Sequence, residues 1–204
     1  MTAAADPLCE KLREAFPSAI LEQSSFRGET TLRIKTESIR DICLHARDTL
    51  GFDYLVDVSS IDHFGDEPRY ELVYELYSLR AGAHLRLKAT VSEDTGTAPT
   101  VSDIWPTADW HEREVYDMMG IRFENHPDLR RILMWEGFPY HPLRKDFPLE
   151  GKHSETPGVA FSEPAPLAGG PFVTVPTDGT TQVREPRARH AGEIPPSDKF
   201  IAEP

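Results

Sequence analysis

Residues 54–92 read YLVDVSSIDHFGDEPRYELVYELYSLRAGAHLRLKATVS. Three strand-like runs make up this stretch, Tyr54 to Asp62, Tyr70 to Leu79 and His84 to Ser92, with Asp66-Glu67-Pro68 and Ala81-Gly82-Ala83 as the turns between them. Connections this short join antiparallel neighbours, because a parallel pair needs a crossover of about a dozen residues. On the N-terminal side, Asp6 to Phe16 reads as a short helix with Leu8, Leu12 and Ala15/Phe16 on one face and Pro17 as its stop. Ala19 to Phe26 and Thr30 to Thr36 form a hairpin around Arg27-Gly28-Glu29, and Thr31-Leu32-Arg33-Ile34-Lys35 alternates as a half-buried strand does. Ser38 stands as the N-cap of a second helix whose apolar stripe is Ile39, Ile42/Cys43, Ala46 and Leu50. On the C-terminal side, Val101 to Trp105 reads as one more strand and Trp110 to Met119 as a helix ended by Gly120. Helix, hairpin, helix and meander in that order predict an α+β domain over residues 1–150, a mainly antiparallel sheet with helices packed on one face.

The rest of the chain has a different composition. From Gly151 nothing is periodic, half of the 18 Pro residues lie there, and aromatics are sparse. Such a segment buries too little apolar surface to offset the entropy of ordering it. Residues 151–204 are therefore expected to be a Pro-rich extended or disordered C-terminal tail, with ordering along a partner's surface as the functional version.

Charge and cysteine usage remove several function classes. The net charge of −12 opposes phosphate contacts, so no nucleic-acid partner is expected. No run approaches the roughly 20 apolar residues that span a bilayer, so no direct membrane insertion is expected. MTAAADPLCEKLREAF lacks a basic region followed by an apolar one, and carries acidic residues, so it is read as neither a secretory signal nor a transit peptide. Cys9 and Cys43 stand alone, while an iron–sulfur cluster generally needs four thiolates. No glycine-rich nucleotide loop occurs. A chain with no cofactor of its own follows.

The densest chemistry lies in residues 110–148, WHEREVYDMMGIRFENHPDLRRILMWEGFPYHPLRKDFP. Glu112, Val115, Tyr116 and Met119 share one face of the helix, Glu114 and Asp117 a neighbouring one, with Arg113 on the far side. Beyond the helix, His126-Pro127-Asp128-Leu129-Arg130-Arg131 is echoed by His141-Pro142-Leu143-Arg144-Lys145-Asp146. In both, Pro fixes φ after a His, and a Leu is followed by two basic residues. Two arms of this kind each plant a Leu in an apolar pocket and offer a cation to carboxylates, which is the physics of an interface. The interface residues read from this segment are Glu112, Arg113, Glu114, Asp117, His126, Arg130, Arg131, Arg144, Lys145 and Asp146.

A catalytic reading competes with this one. His111, Glu112, Glu114, His126, His141 and His153 are of metal-ligating types, as in a free-standing metal-dependent hydrolase, but no HExxH or HxH spacing occurs. Adjacent His111 and Glu112 diverge on a helix, and the step from Glu112 to Asp117 does not bring a carboxylate pair onto one face. No catalytic, cofactor-binding or metal residue is assigned.

Glu112-Arg113-Glu114, Asp117-Met118-Met119, Gly120, His126 and Leu129-Arg130-Arg131-Ile132-Leu133 resemble, in order and spacing, the signature of the C-type subunit family of bacterial NADH-quinone oxidoreductase, the 30-kilodalton subunit family of respiratory complex I. Gly137 followed by Pro142-Leu143-Arg144-Lys145-Asp146-Phe147-Pro148 is similar to that family's ending, and Tyr54 to Asp62 to an earlier segment. The resemblance covers about residues 5 to 150 and implies a structural, non-catalytic subunit of the hydrophilic arm of a translocase. It implies a peripheral place on the cytoplasmic face of the bacterial plasma membrane. The partners implied are other complex I subunits, chiefly the D-type subunit, which helps form the quinone site, beside further hydrophilic-arm subunits. FMN, iron–sulfur clusters, NADH and quinone (ubiquinone among them) would sit in those other subunits, and electron and proton transport would belong to the whole. An equivalent scaffold subunit of a membrane-bound nickel-iron hydrogenase or related dehydrogenase is the alternative.

Overall fold

The structure, a computed structural model, describes residues 6–149 and 151. Among the described residues five strands form one sheet, β1 (Ile20–Phe26), β2 (Glu29–Ile34), β3 (Tyr54–Asp62), β4 (Tyr70–Ser78) and β5 (Ala83–Val91), in the order β1-β2-β5-β4-β3. Three of the four pairings are antiparallel, as expected from the short turns, and the fold is α+β. The fourth, β2 with β5, is parallel. It joins the hairpin to the meander, and the intervening helix and strands supply the crossover that a parallel pair needs.

Period-two alternation becomes two distinct faces. On one, Tyr70 opposes Val91, Leu72 opposes Ala89, Tyr74 opposes Leu87 and Leu76 opposes Leu85, and all eight are buried. Leu32 and Ile34 of β2 extend this face across the parallel pair. Helices α1 (Asp6–Ala15), α2 (Ile39–Asp48) and α3 (Ala108–Met119) supply the facing layer through Cys9 and Leu12, through Ile39, Ile42, Cys43 and Ala46, and through Ala108, Val115, Met118 and Met119. The other face is a lattice of charges. Glu71, 2% exposed, takes Lys88 at 2.7 Å and Arg33 at 3.1 Å, and Glu75 takes Arg86 and His84. Opposite charges set across adjacent strands in this way pair with one another.

Local sequence explains most of the joints. Arg27 and Gly28 both carry positive φ, the backbone of the two-residue turn that matches strand twist. Ser38 is the N-cap of α2, but it makes no side-chain capping bond. A short 3-10 turn, Thr36–Ser38, leads in instead, with the Thr36 hydroxyl donating to the Thr90 carbonyl at 2.5 Å. Val101 to Trp105, expected as a strand, is a pair of turns in which Ile104 and Trp105 N–H both donate to the Val101 carbonyl. Its apolar residues Val101, Ile104 and Trp105 are buried all the same, so the run is apolar because it enters the core, not because it is extended. The strand pairing in that region belongs to two three-residue strands, β6 (Thr97–Pro99) and β7 (Arg122–Glu124), which pair in parallel on either side of α3. The tail expected over 151–204 lies, apart from Gly151, outside the described residues.

Candidate functional site

Helix α3 is the frame of the site, and its two ends are held by different means. Near its start, the wholly buried carboxylate of Glu112 accepts the Thr100 hydroxyl at 2.5 Å and the Val101 N–H at 2.7 Å. Thr100 N–H in turn donates to the Glu124 carbonyl at 3.1 Å, so one acid joins α3 to the 100–102 turn and to β7. Burial pushes the Glu112 carboxyl up to about 7, and the bonds from Thr100 and Val101 oppose that push. The His126 side chain is fully enclosed beside it. Its Nδ1 accepts Asp128 N–H at 3.1 Å, which leaves Nε2 to donate to the Asp109 carbonyl at 3.2 Å, with the Asp109 carboxylate close by.

At the other end the helix leaves backbone carbonyls without intrahelical partners, and the segment that follows takes them up. Gly120, in the left-handed conformation at φ +80°, donates its N–H to the Tyr116 carbonyl. The Asp117 carbonyl accepts His141 Nδ1 at 3.0 Å and Arg131 Nη1 at 3.2 Å. Met118 accepts Leu143 N–H at 3.1 Å, and Met119 accepts Arg144 Nε at 2.7 Å. Cations at a helix C-terminus also complement its dipole. The approach is close enough that a Cβ at Gly120 would stand 2.7 Å from the His141 ring and strike the Arg144 guanidinium.

Asp117 is the second anchor. Its buried carboxylate accepts the N–H groups of Ile132 at 3.0 Å and of Leu133 and Met134 at 2.8 Å, and also pairs with Arg131. Burial pushes this carboxyl up, but the Met134 N–H, the Arg131 guanidinium and the Leu133 and Ile132 N–H groups outweigh it and hold it below the usual aspartate range. Arg113 is buried rather than facing outward as a far-side charge. It lies over the Trp110 ring and donates to the Arg130 and Arg131 carbonyls at 3.3 and 3.4 Å. Its guanidinium thus serves as a brace between the helix and the returning chain.

The two expected arms behave differently. Leu129 packs on the core as expected, whereas Leu143 is 57% exposed, because Pro142-Leu143 contributes a backbone N–H to α3 instead of a planted side chain. Trp135, Phe138, Tyr140 and Phe147 form a small aromatic cluster, with Phe138 at 4.6 Å from Trp135 and the Arg131 guanidinium over its ring. Among the described residues Arg130 pairs only with Asp128, both well exposed, and Glu114 points outward. The structure therefore brings Glu112, Arg113, Asp117, His126, Arg131 and Arg144 together as braces and leaves Glu114, Arg130 and Lys145 on the surface.

Sequence reading misses Arg69 and Asp62. Arg69 holds Asp62 in a fork at 2.9 and 3.0 Å and also reaches Glu93 and Asp146, each at 2.6 Å. Asp62 additionally accepts Lys145 N–H at 2.7 Å, and the Arg69 hydrogen bonds lower both Asp62 and Asp146 below the usual range. The one cue is a charged residue, Arg69, set directly before the strand-like run that begins at Tyr70. Of the metal-ligating types, His111 pairs with Asp57 at 3.1 Å and His141 with a carbonyl, and His153 lies outside the described residues. Among the described residues no three His, Cys, Asp or Glu are grouped to hold a metal ion.

The model of the respiratory-chain NADH dehydrogenase 30 Kd subunit family matches residues 32–153, which take in most of β2, all of β3 to β7, and the 126–147 segment that returns on α3. The C-type subunit of NADH-quinone oxidoreductase from Geotalea uraniireducens (strain Rf4) is 48% identical over 145 residues, 71% of this chain and 88% of that protein. Its counterpart from Roseiflexus sp. (strain RS-1), also a C-type subunit of NADH-quinone oxidoreductase, is 41% identical over 165 residues, 80% and 93% of the two chains. Among solved structures, the trypsin-resistant fragment (1-134) of Nqo5 superposes with a TM-score of 0.54 at 31% identity, over 61% of this chain and 98% of that one. A chain of the membrane-bound sulfane sulfur reductase, an archaeal respiratory membrane complex, superposes with a TM-score of 0.62 at 27% identity, over 71% and 85%. With more than half of its length matched and its braced helix inside the match, the chain belongs to the respiratory-chain NADH dehydrogenase 30 Kd subunit family.

Proposed function

We propose that the chain is a non-catalytic structural subunit of the hydrophilic arm of a proton-translocating NADH-quinone oxidoreductase, and that it docks through residues 126–147 on the D-type subunit, the partner that helps form the quinone site. The relatives named above are NADH-quinone oxidoreductase subunits. The observation that carries the reading is the use made of the motif charges. Glu112 and Asp117 are filled with donors from their own chain, and Arg131, His141 and Arg144 cap the end of α3. Charges held in this way stiffen a surface. The groups left outward on that surface are Leu133, Leu143, Arg130 and Lys145, a mix of apolar and basic side chains suited to an interface. In this reading FMN, the iron–sulfur clusters, NADH and quinone belong to other subunits, and the chain sits peripherally at the cytoplasmic face of the plasma membrane.

The likeness to the archaeal sulfane sulfur reductase favours a second reading, the same scaffold role in a related membrane complex fed by another donor. Mild-detergent capture of the tagged full chain followed by mass spectrometry separates the two. Flavin- and NADH-binding subunits copurify in the first reading and are replaced by hydrogenase-type subunits in the second. Leu133→Asp combined with Leu143→Asp should strip the partners by at least tenfold while leaving the thermal transition of the isolated chain within a few degrees. Full capture by this variant would overturn docking through the arm, and a stoichiometric visible absorbance band on the isolated chain would overturn the non-catalytic reading.

A further inference from the structure

We propose that Arg69 is the latch that seats the end of the arm on the sheet, and that this latch positions the docking surface. The proposal rests on the docking reading above. Arg69 stands immediately before β4, at the end of the sheet where β3 and β5 finish, and it is 4% exposed. Three acids converge on it from three parts of the chain: Asp62 from β3, Glu93 just after β5, and Asp146 from the arm. The fork fixes the guanidinium to Asp62, and the remaining N–H groups reach outward to Glu93 and Asp146. The Phe64 and Tyr70 rings hold its plane, with centroids 5.0 and 5.1 Å away, and Arg144 lies over the same Tyr70 ring at 5.5 Å. Lys145 N–H donates to Asp62, so side chain and backbone of one short segment, 144–146, are fixed at one point.

The balance of charge makes this a latch and not simply a brace. One cation meets three carboxylates here. With Arg69 neutralised, Asp146 faces the carboxylates of Asp62 and Glu93 without the cation they share, and the nearby charges left to offset that repulsion are Arg144 and Lys145 of the arm itself. A lysine keeps the charge but lacks the planar fork, and reaches fewer of these acceptors at once.

Hydrogen exchange on the full chain tests the latch directly, read at the Lys145 amide, with trypsin cleavage at Arg144 and Lys145 as a second measure. In Arg69→Gln both rates should rise at least tenfold, more at low ionic strength than at high. Asp146→Asn, at a side chain 47% exposed, should raise them less, and it keeps the test open if Arg69→Gln does not fold. The double variant should exchange more slowly than Arg69→Gln alone, because one repelling carboxylate is gone. A residue that merely supports the fold predicts no such rescue. Unchanged exchange in Asp146→Asn, or no rescue in the double variant, overturns the latch. The positioning claim is read in membranes, where Arg69→Lys should lower assembled complex at least threefold below a Leu87→Val variant matched in thermal stability. Equal assembly overturns it even if the latch holds. The Leu133/Leu143 variant separately reports whether the arm docks at all.

Discussion

The β3–β5 meander and the stretch from α3 to Phe147 are of similar length and are held together by opposite means. The apolar contacts of the meander are local to a register: Leu72 on Ala89, Tyr74 on Leu87 and Leu76 on Leu85 stack side chains across antiparallel strands. In the second region the carbonyls of Asp117, Met118 and Met119 and the carboxylates of Glu112 and Asp117 gather donors from turns and arms up to 25 residues away. The first arrangement is redundant, since many weak contacts share the load. The second concentrates it on a few acceptors. A surface meant to hold a set shape without a regular element under it is built in the second way.

Truncating one residue in each region is the strongest way to break that comparison. Leu87→Ala, at a wholly buried site, should destabilise by about 2–5 kcal/mol and lower one cooperative transition. Asp117→Ala should cost a similar ~3–5 kcal/mol, because Arg131 and three backbone N–H groups lose their acceptor. The routes differ. In the aspartate variant the amides of Ile132, Leu133 and Met134 should exchange freely while β4 and β5 stay protected. Acid should mimic this in the unmodified chain: the carboxyl is held below its usual range, so its contribution is present above about pH 3.9 and is lost as pH falls through the lower folded value. Simultaneous loss of protection in arm and sheet would mean that the two regions are one cooperative unit.

The difference also decides what can be read from the sequence. Alternation at Leu85, Leu87, Ala89 and Val91 is a local signal, and so is the stop at Gly120; both elements are legible. The parallel pairing of β2 with β5 and the three-residue strands β6 and β7 are not, because nothing within a few residues encodes them. Val101, Ile104 and Trp105 mislead because an apolar run that turns into the core has the same composition as an extended one. The motif residues are visible as a group, but their partners are hidden: Arg69 and Asp146 are 77 residues apart. One local clue does exist. A carboxylate at Asp117, in the last turn of α3, opposes the helix dipole, so it demands donors from elsewhere.

A smaller effect sharpens the contrast between the two acids of α3. Glu112 is raised from the ordinary 4.5 to about 7, whereas Asp117 is lowered, because burial dominates at the first and donors at the second. A raised carboxyl favours the fold in its protonated form. That contribution is complete below about pH 4.5 and is lost as pH climbs through 7, a swing of order 1–3 kcal/mol. Urea midpoints taken from pH 5 to pH 8 should therefore fall in the unmodified chain relative to Glu112→Gln, in which His141, lowered by burial, is left to tilt the profile the other way. The same slope in both proteins would remove Glu112 as its source.

The smallest effect is expected at Arg130, and it tests whether the adjacent arginines divide their labour. Arg131 is 16% exposed and bound to Asp117, while Arg130 is 70% exposed and, among the described residues, meets only Asp128, itself 57% exposed. Exposed pairs of this kind contribute about 0–1 kcal/mol. Moreover, what Arg113 grips at this position is the Arg130 carbonyl, which an alanine keeps. Arg130→Ala should therefore leave the unfolding of the isolated chain nearly unchanged, where Arg131→Ala lowers it clearly. Assembly is a separate question for the same variant. If the Arg130 guanidinium becomes desolvated against a carboxylate of the partner, its removal costs about 2–5 kcal/mol in binding, and intact complex falls while turnover per assembled particle holds. Lost turnover at full assembly would instead place Arg130 in the chemistry of the complex. Destabilisation of the isolated chain as large as that of Arg131→Ala would show that the outward pair is part of the brace.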